Sequence, residues 1–259
     1  MGHPRAPRAP PAGIYGQVSM SVKIHDLFAR KAGTTLAEFS AYWTGTHAPI
    51  AQRFEQIRHY VQCHRIQERP LVAGFAPTWP DGCAETWYVD VDALAEMVAA
   101  PRFSELMEDE PKFMNLDRPR PLLASQARLV DAKGFDPRSR GVKLLLFAAR
   151  RAGLDEAAFM TAWARDDDAT LGRTLGVSQH IVCTPVAAGI LIQTDRATAD
   201  SAADTHPYDA VRELWWPSLG DFEQACAQHQ DAWTELLRLD AIDAARSMTL
   251  LSQERVIIA

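Results

Sequence analysis

The chain of 259 residues holds only four cysteines, Cys63, Cys83, Cys183 and Cys226, and no two of them form a CxxC pair. No HxH or HExxH spacing occurs either, so metal binding by His47, His59 and His64 is not expected. The cysteines read instead as small buried apolar side chains of a protein kept reduced in the cytoplasm. A glycine-rich phosphate loop is missing, which argues against a nucleotide cofactor. So are the GxSxG elbow and a Cys–His signature, which argues against a serine or cysteine hydrolase. No block of five or more like charges is present and the net charge is -6, so nucleic acid is not an expected partner. No apolar run approaches the length of a membrane span. Residues 1–19 lack the apolar stretch of a signal peptide and, being rich in Pro, Ala and Arg, read as a loose extension.

What is present is a repeat. Shifting the chain by 120 residues lays "VKIHDLFARKAGTTLAEFSAYW" over "VKLLLFAARRAGLDEAAFMTAW", and eleven residues between positions 22 and 63 are identical. Ordinary composition would give roughly two or three. Further on the offset becomes 128, aligning Glu85 with Glu213 and Trp87 with Trp215. About eight extra residues therefore enter the second copy, in the stretch "DRATADSAADTHPYD".

Each copy has one order of elements. Val22–Ala29 is a short β-type run closed by "RKAG". A helix starts at Thr35 with Glu38 three residues on, a capping box, and buries Leu36, Phe39 and Trp43. "RHYVQCHRI" and "CAETWYV" are strands, "DALAEMVAAPRFSELM" is a helix interrupted near Pro101, and "LLASQARLV" is the last strand. This β-α-β-β-α-β order is the ferredoxin-like unit, of α+β class. Such a unit leaves one sheet face bare. Two units, 20–131 and 141–259 joined by a linker at 132–140, can cover it by packing sheet to sheet as a pseudo-dimer, alone or paired again as a homodimer.

The repeat also sorts residues. Those in both copies serve the fold, as Trp43 and Trp163 do in the core. Glu85 and Glu213 read as a structural pair, with arginines as partners. Asp26, His47, Tyr60 and His64 are replaced by Leu146, Asp167, His180 and Thr184, so the first copy is expected to hold the working pocket. On the first strand Val22, Ile24, Asp26 and Phe28 share one face and Lys23, His25, Leu27 and Ala29 the other. A carboxylate in such a row calls for a partner or an altered titration. Either Asp26 or His25 faces the helix-covered side.

"RKAGTTLAEFSAYWTGTHAPI" and the strands after it resemble the EthD family of the dimeric α/β-barrel superfamily, over nearly all of 20–131; the second copy matches only in outline. The resemblance implies a pocket between sheet and helices, with Asp26 rather than His25 turned toward it. It assigns proton transfer to His47, with Asp26 tuning the imidazole and Tyr60 stabilising negative charge. Tyr42, His64 and His25 are expected substrate contacts. Superfamily relatives include cofactor-free cyclases, decarboxylases and monooxygenases, and haem enzymes. The expected function is cofactor-independent acid/base chemistry, of lyase or cyclase type, on a small hydrophobic oxygenated substrate such as a phenolic or polyketide-like ring. Oxidoreductase chemistry and a non-catalytic binding module are the alternatives.

Overall fold

The structure, a computed structural model, describes residues 22–66, 75–117, 122–132, 141–186 and 208–259. The N-terminal extension, residues 133–140 of the linker expected at 132–140, and most of the inserted stretch before 208 lie outside the described residues.

The chain has an α+β fold in which eight antiparallel strands close into one barrel with helices outside. The first half runs β1 (Val22–Phe28), α1 (Leu36–Tyr42), a π-helical turn (Trp43–His47), α2 (Ala48–Ala51), β2 (His59–Arg65), β3 (Gly82–Tyr88), α3 (Val91–Ala99), α4 (Phe103–Asp109) and β4 (Leu122–Ala132). The second runs β5 (Val142–Ala148), α5 (Glu156–Trp163), α6 (Asp168–Thr174), β6 (Gln179–Pro185), β7 (Ala210–Trp216), α7 (Leu219–Gln228), α8 (Gln230–Leu237) and β8 (Met248–Ile258). Around the barrel the strands follow the order β1-β3-β2-β8-β5-β7-β6-β4. The halves therefore meet edge to edge, through β2–β8 and β4–β6, as well as across the interior. Among the described residues, closure leaves no sheet edge unpaired.

Local chemistry explains the shared elements. Thr35 caps α1 in a full capping box with Glu38, while Asp155 caps α5 through the Ala158 amide. The turns before these helices carry Gly33 and Gly153 at φ 84° and 89°, where a side chain would be strained. Pro101 separates α3 from α4. No helix of the described residues is long and apolar enough to cross a membrane.

Strand alternation gives the barrel two environments. Inside lie Leu27, Val61, Trp87, Phe147, Trp215 and Leu250 with the buried thiols. Outside, under the helices, the two halves differ. The second has one continuous apolar cluster around Trp163, Trp216 and Trp233. The first has two, one around Tyr60, Tyr88 and Leu94 and one around Phe28, Phe39, Trp43 and Phe113.

The inner face also carries an ionic network, buried except at Glu254, which is part-exposed. Lys23 pairs with Glu213 and, at 3.0 Å, with Glu85; Lys143 pairs with Glu85 at 2.5 Å, Glu213 at 2.8 Å and Glu254 at 3.1 Å. The partners of Glu85 and Glu213 are thus lysines, not the expected arginines. The two ammonium groups also lie over Trp87 and Trp215, 4.4 and 4.3 Å from the ring centres. Burial alone would lower both lysine pKa values, but the facing anions raise them, so the lysines stay charged.

Candidate active site

Between the first half of the sheet and helices α2, α3 and α4 lies a cavity of about 100 Å³. That is the order of a cavity that admits a single aromatic ring, about 150 Å³. Its walls are mostly apolar, with Leu94, Met97, Phe103 and Leu106 from the helices and Ile24 from the sheet. Asp26, His47, Tyr60, Tyr88 and Glu110 bring polar groups to it. The outward row of β1 thus puts Asp26 on the helix-covered side. His25 turns into the barrel, where its Nε2 lies 2.8 Å from Glu213. Burial, then Lys23, lowers the pKa of His25, so it is a neutral member of the ionic network and not a contact of this cavity.

His47 stands at the end of the π-helical turn, a local widening that is frequent at functional sites. Pro49 follows in the first turn of α2. His47 is 7% exposed, and its Nδ1 lies 2.9 Å from Oδ2 of Asp109 on α4. The Asp109 carboxylate also accepts from the Tyr42 hydroxyl at 2.8 Å and from Lys112 at 3.1 Å. Burial by itself would raise its pKa, but the hydrogen bonds from Tyr42, His47 and Lys112 outweigh that and hold it below the ordinary value. Phe113 packs on His47, ring centres 4.7 Å apart, and stacks on Tyr42 at 5.4 Å.

Tyr60 receives two hydrogen bonds at its hydroxyl oxygen, from Trp43 Nε1 at 2.8 Å and Gln62 Nε2 at 3.0 Å. With both lone pairs engaged, its remaining capacity is to donate. Burial raises its pKa despite these two bonds, so the phenol keeps its proton. Trp43 reaches Tyr60 because β3 has glycine beneath it: a Cβ on Gly82 would lie 2.6 Å from the indole ring.

The expected trio Asp26, His47 and Tyr60 therefore lines one cavity, while the three expected contacts, His25 and the two that follow, do not. Tyr42 stands behind Asp109; burial and then Asp109 push its pKa up to about 12. His64 lies under α1, its Nδ1 2.8 Å from Ser40 Oγ and its Nε2 3.1 Å from Gln62 Oε1. Burial and then Arg255 lower its pKa to about 3, which leaves it a neutral tie between strand and helix. Asp109 and Glu110 were missed in the sequence. Had the repeat comparison been carried to the end of α4, Leu237 and Arg238 opposite them would have marked the pair as peculiar to the first copy.

The corresponding space in the second half is filled. Ala84 pairs with Asp26 and Gln62, and its counterpart Arg212 pairs with Leu146 and Val182. The Arg212 side chain, fully buried, reaches Asp168 at 3.0 Å, His180 Nε2 at 2.9 Å and the Trp163 carbonyl at 2.6 Å. Arg238 joins Asp168 and Asp167, both at 2.8 Å. Burial, then Arg212, holds the pKa of His180 well below the usual range.

Among the described residues, two sets of side chains have metal-ligand types close together, His25–Cys183–Glu213 and Cys63–Glu85–Glu254. Both belong to the barrel interior, where Lys23 and Lys143 supply the positive charge on the same carboxylates. Burial pushes the Cys63 and Cys183 thiols well above their ordinary pKa, away from the thiolate a metal requires. These donors do not fit a metal centre.

No curated protein sequence matches the chain. An anthrone oxidase-like protein superposes with a TM-score of 0.62 at 14% identity, over 92% of this chain and 94% of its own. A candidate monooxygenase from Fusobacterium nucleatum subsp. nucleatum superposes at 0.54 with 7% identity, over 91% of this chain and 93% of its own. An EthD family protein from Bacillus halodurans C-125 is 21% identical, with a TM-score of 0.32, over 40% of this chain and 96% of its own. The first two likenesses show the fold. At the level of sequence, residues 31–117, a stretch that holds the π-helical turn, His47 and Asp109, match the EthD domain.

Proposed function

We propose that the first half is an acid/base enzyme for a small, hydrophobic, oxygenated molecule of phenolic or polyketide-like type. The observation that carries this is a buried histidine, engaged at Nδ1 by a carboxylate, in the wall of an apolar cavity that also holds a phenol suited to donate. His47 takes a proton from substrate carbon or hydroxyl. Tyr60 donates a hydrogen bond to the oxygen on which charge develops. Asp26 and Glu110 are further polar contacts for substrate hydroxyl or carbonyl groups.

Two outcomes are open to the anion so formed. It can lose a group or close a ring, which is lyase or cyclase chemistry. Alternatively it can pass electrons to O2, which is oxidation without a cofactor. The names of the two structures that superpose over most of the chain, an anthrone oxidase-like protein and a candidate monooxygenase, favour the oxidative reading. The test is turnover of a panel of anthrones, naphthols and phenolic polyketide-like acids, with O2 uptake measured in parallel. Product formed equally with and without O2 supports the lyase or cyclase reading, and O2 uptake in step with product supports oxidation. Tight binding with no turnover would point to a carrier.

We also infer that the two halves are tandem ferredoxin-like units, 20–131 and 141–259, of which the second has kept the scaffold and lost the pocket. Free cysteines, three of the four buried, fit a reducing, cytoplasmic setting.

A further inference from the structure

We propose that Asp109 is the positioning residue of this site: it holds His47 with its proton on Nδ1, so that Nε2 is the bare nitrogen offered to substrate. The inference rests on the reading of His47 as proton acceptor and adds what makes it one. Asp109 is 2% exposed, and its carboxylate accepts at both oxygens, from His47 at Oδ2 and from Tyr42 and Lys112 at Oδ1. An ionised carboxylate can only accept, so the proton in the 2.9 Å contact belongs to Nδ1. The ring cannot turn freely to exchange its nitrogens, because Phe113 packs on it and it is almost wholly buried.

Two further observations bear on the pair. The π-helical turn widens the chain just where His47 must reach back to α4; in the second half the helix stops at Trp163 and no such turn exists. Both partners are also lost together there, Asp167 standing for His47 and Leu237 for Asp109. Among the described residues, the isolated backbone β-bridges Arg30–Met114 and Arg150–Ile242 keep the same two offsets, as matching positions would. A histidine kept for a capping contact would not need a buried carboxylate braced by a tyrosine and a lysine.

The charged and titratable groups near His47 are Asp109, Glu110 and Lys112 from the α4 end, Tyr42 from α1, and Asp26, Tyr60 and Tyr88 from the sheet. Replacing Asp109 by Asn removes the carboxylate bonded to Nδ1 and leaves the other groups in place. The experiment is 15N NMR of the histidine rings of the full chain from pH 5 to 9, with His47→Gln to assign the signal. The wild type should show Nδ1 protonated and Nε2 bare once the ring is neutral. Asp109→Asn should move the equilibrium toward the Nε2–H form and lower the pKa of His47 by about 1 unit or more. Asp109→Glu should restore part of both. With a substrate in hand, Asp109→Asn should lower kcat by about 100- to 10,000-fold with a much smaller change in KM. A wild-type ring protonated on Nε2 would overturn the proposal even if no variant folds, and so would an unchanged tautomer and pKa in Asp109→Asn. Failure of the wider reading shows elsewhere: His47→Ala would keep its turnover while the ring in the wild type titrates as described.

Discussion

Ala84 and Arg212 occupy the same rung of two matching strands, and beneath them the two halves part. Under Ala84 there is a cavity with a histidine, two phenols and two carboxyl groups in its wall. Under Arg212 the guanidinium itself fills the space and is bound by Asp168, His180 and a backbone carbonyl. One small side chain permits a site; one large one closes it. The scaffold tolerates both because the elements around them, a capped helix carrying a Trp on a closed barrel, are the same. The comparison also shows how polarity was rearranged. Where the first half sets a base against an acid, His47 and Asp109, the second sets an acid against a base, Asp167 and Arg238.

The sharpest test of this asymmetry is the pair of histidines. His47→Ala should cost about 100- to 10,000-fold in turnover, the usual effect of losing a general base. His180→Ala should leave turnover within a few-fold, since its buried ring is bonded to Arg212. Steady-state kinetics on both, with circular dichroism to confirm folding, decide it. Equal losses would mean that the halves do not divide the work.

Exchanging the plug comes next. Arg212→Ala leaves Asp168 buried with one guanidinium fewer and should cost about 3–5 kcal/mol of stability, read from urea unfolding. Adding Asp168→Leu should recover part of it. The converse change, Ala84→Arg, should abolish binding of ring-sized ligands in the first half while the chain stays folded. If ligand still binds, the cavity under Ala84 is not the site.

Gly82 gives a smaller effect. A Cβ there drives Trp43 off the strand, so Gly82→Ala should cost about 1–3 kcal/mol and weaken the Trp43–Tyr60 hydrogen bond. Ala210, at the same rung of the second half, already carries that Cβ, and Ala210→Gly should change stability by about 1 kcal/mol or less.

The mildest test uses acid. His64 is neutral in the fold, with a pKa of about 3 against an ordinary 6.5. The unfolded chain therefore takes up its proton first. Stability should be constant above about pH 6.5 and fall as pH drops toward 3, by at most about 1.4 kcal/mol per pH unit from this group. Asp109 works in a lower window. Its depressed pKa makes its contribution full above the ordinary carboxylate value and lost as pH falls through the lowered one. His64→Gln should flatten the slope between pH 6 and 4 and leave the lower part in place.

The sequence by itself determined the element order, the caps, the positive-φ glycines and the internal repeat, because each depends on neighbours along the chain. It also separated His47 and Tyr60 from the residues that both copies share. Tertiary structure alone decided the rest. Alternation on β1 defines two rows, but only the side covered by helices tells which row meets a ligand, and that put Asp26 at the cavity and His25 in the ionic interior. The carboxylate bound to His47 comes from a helix 62 residues away, and no local pattern links the two. Tyr42 and His64 follow the spacing expected of site residues, yet their neighbours in space turn one into a brace and the other into a tie. Likewise Arg212 fills a pocket only because pairing of β7 between β5 and β6 brings it within reach of Trp163 and Asp168. Side-chain period is a local property, whereas what a side chain faces depends on the packing of distant segments.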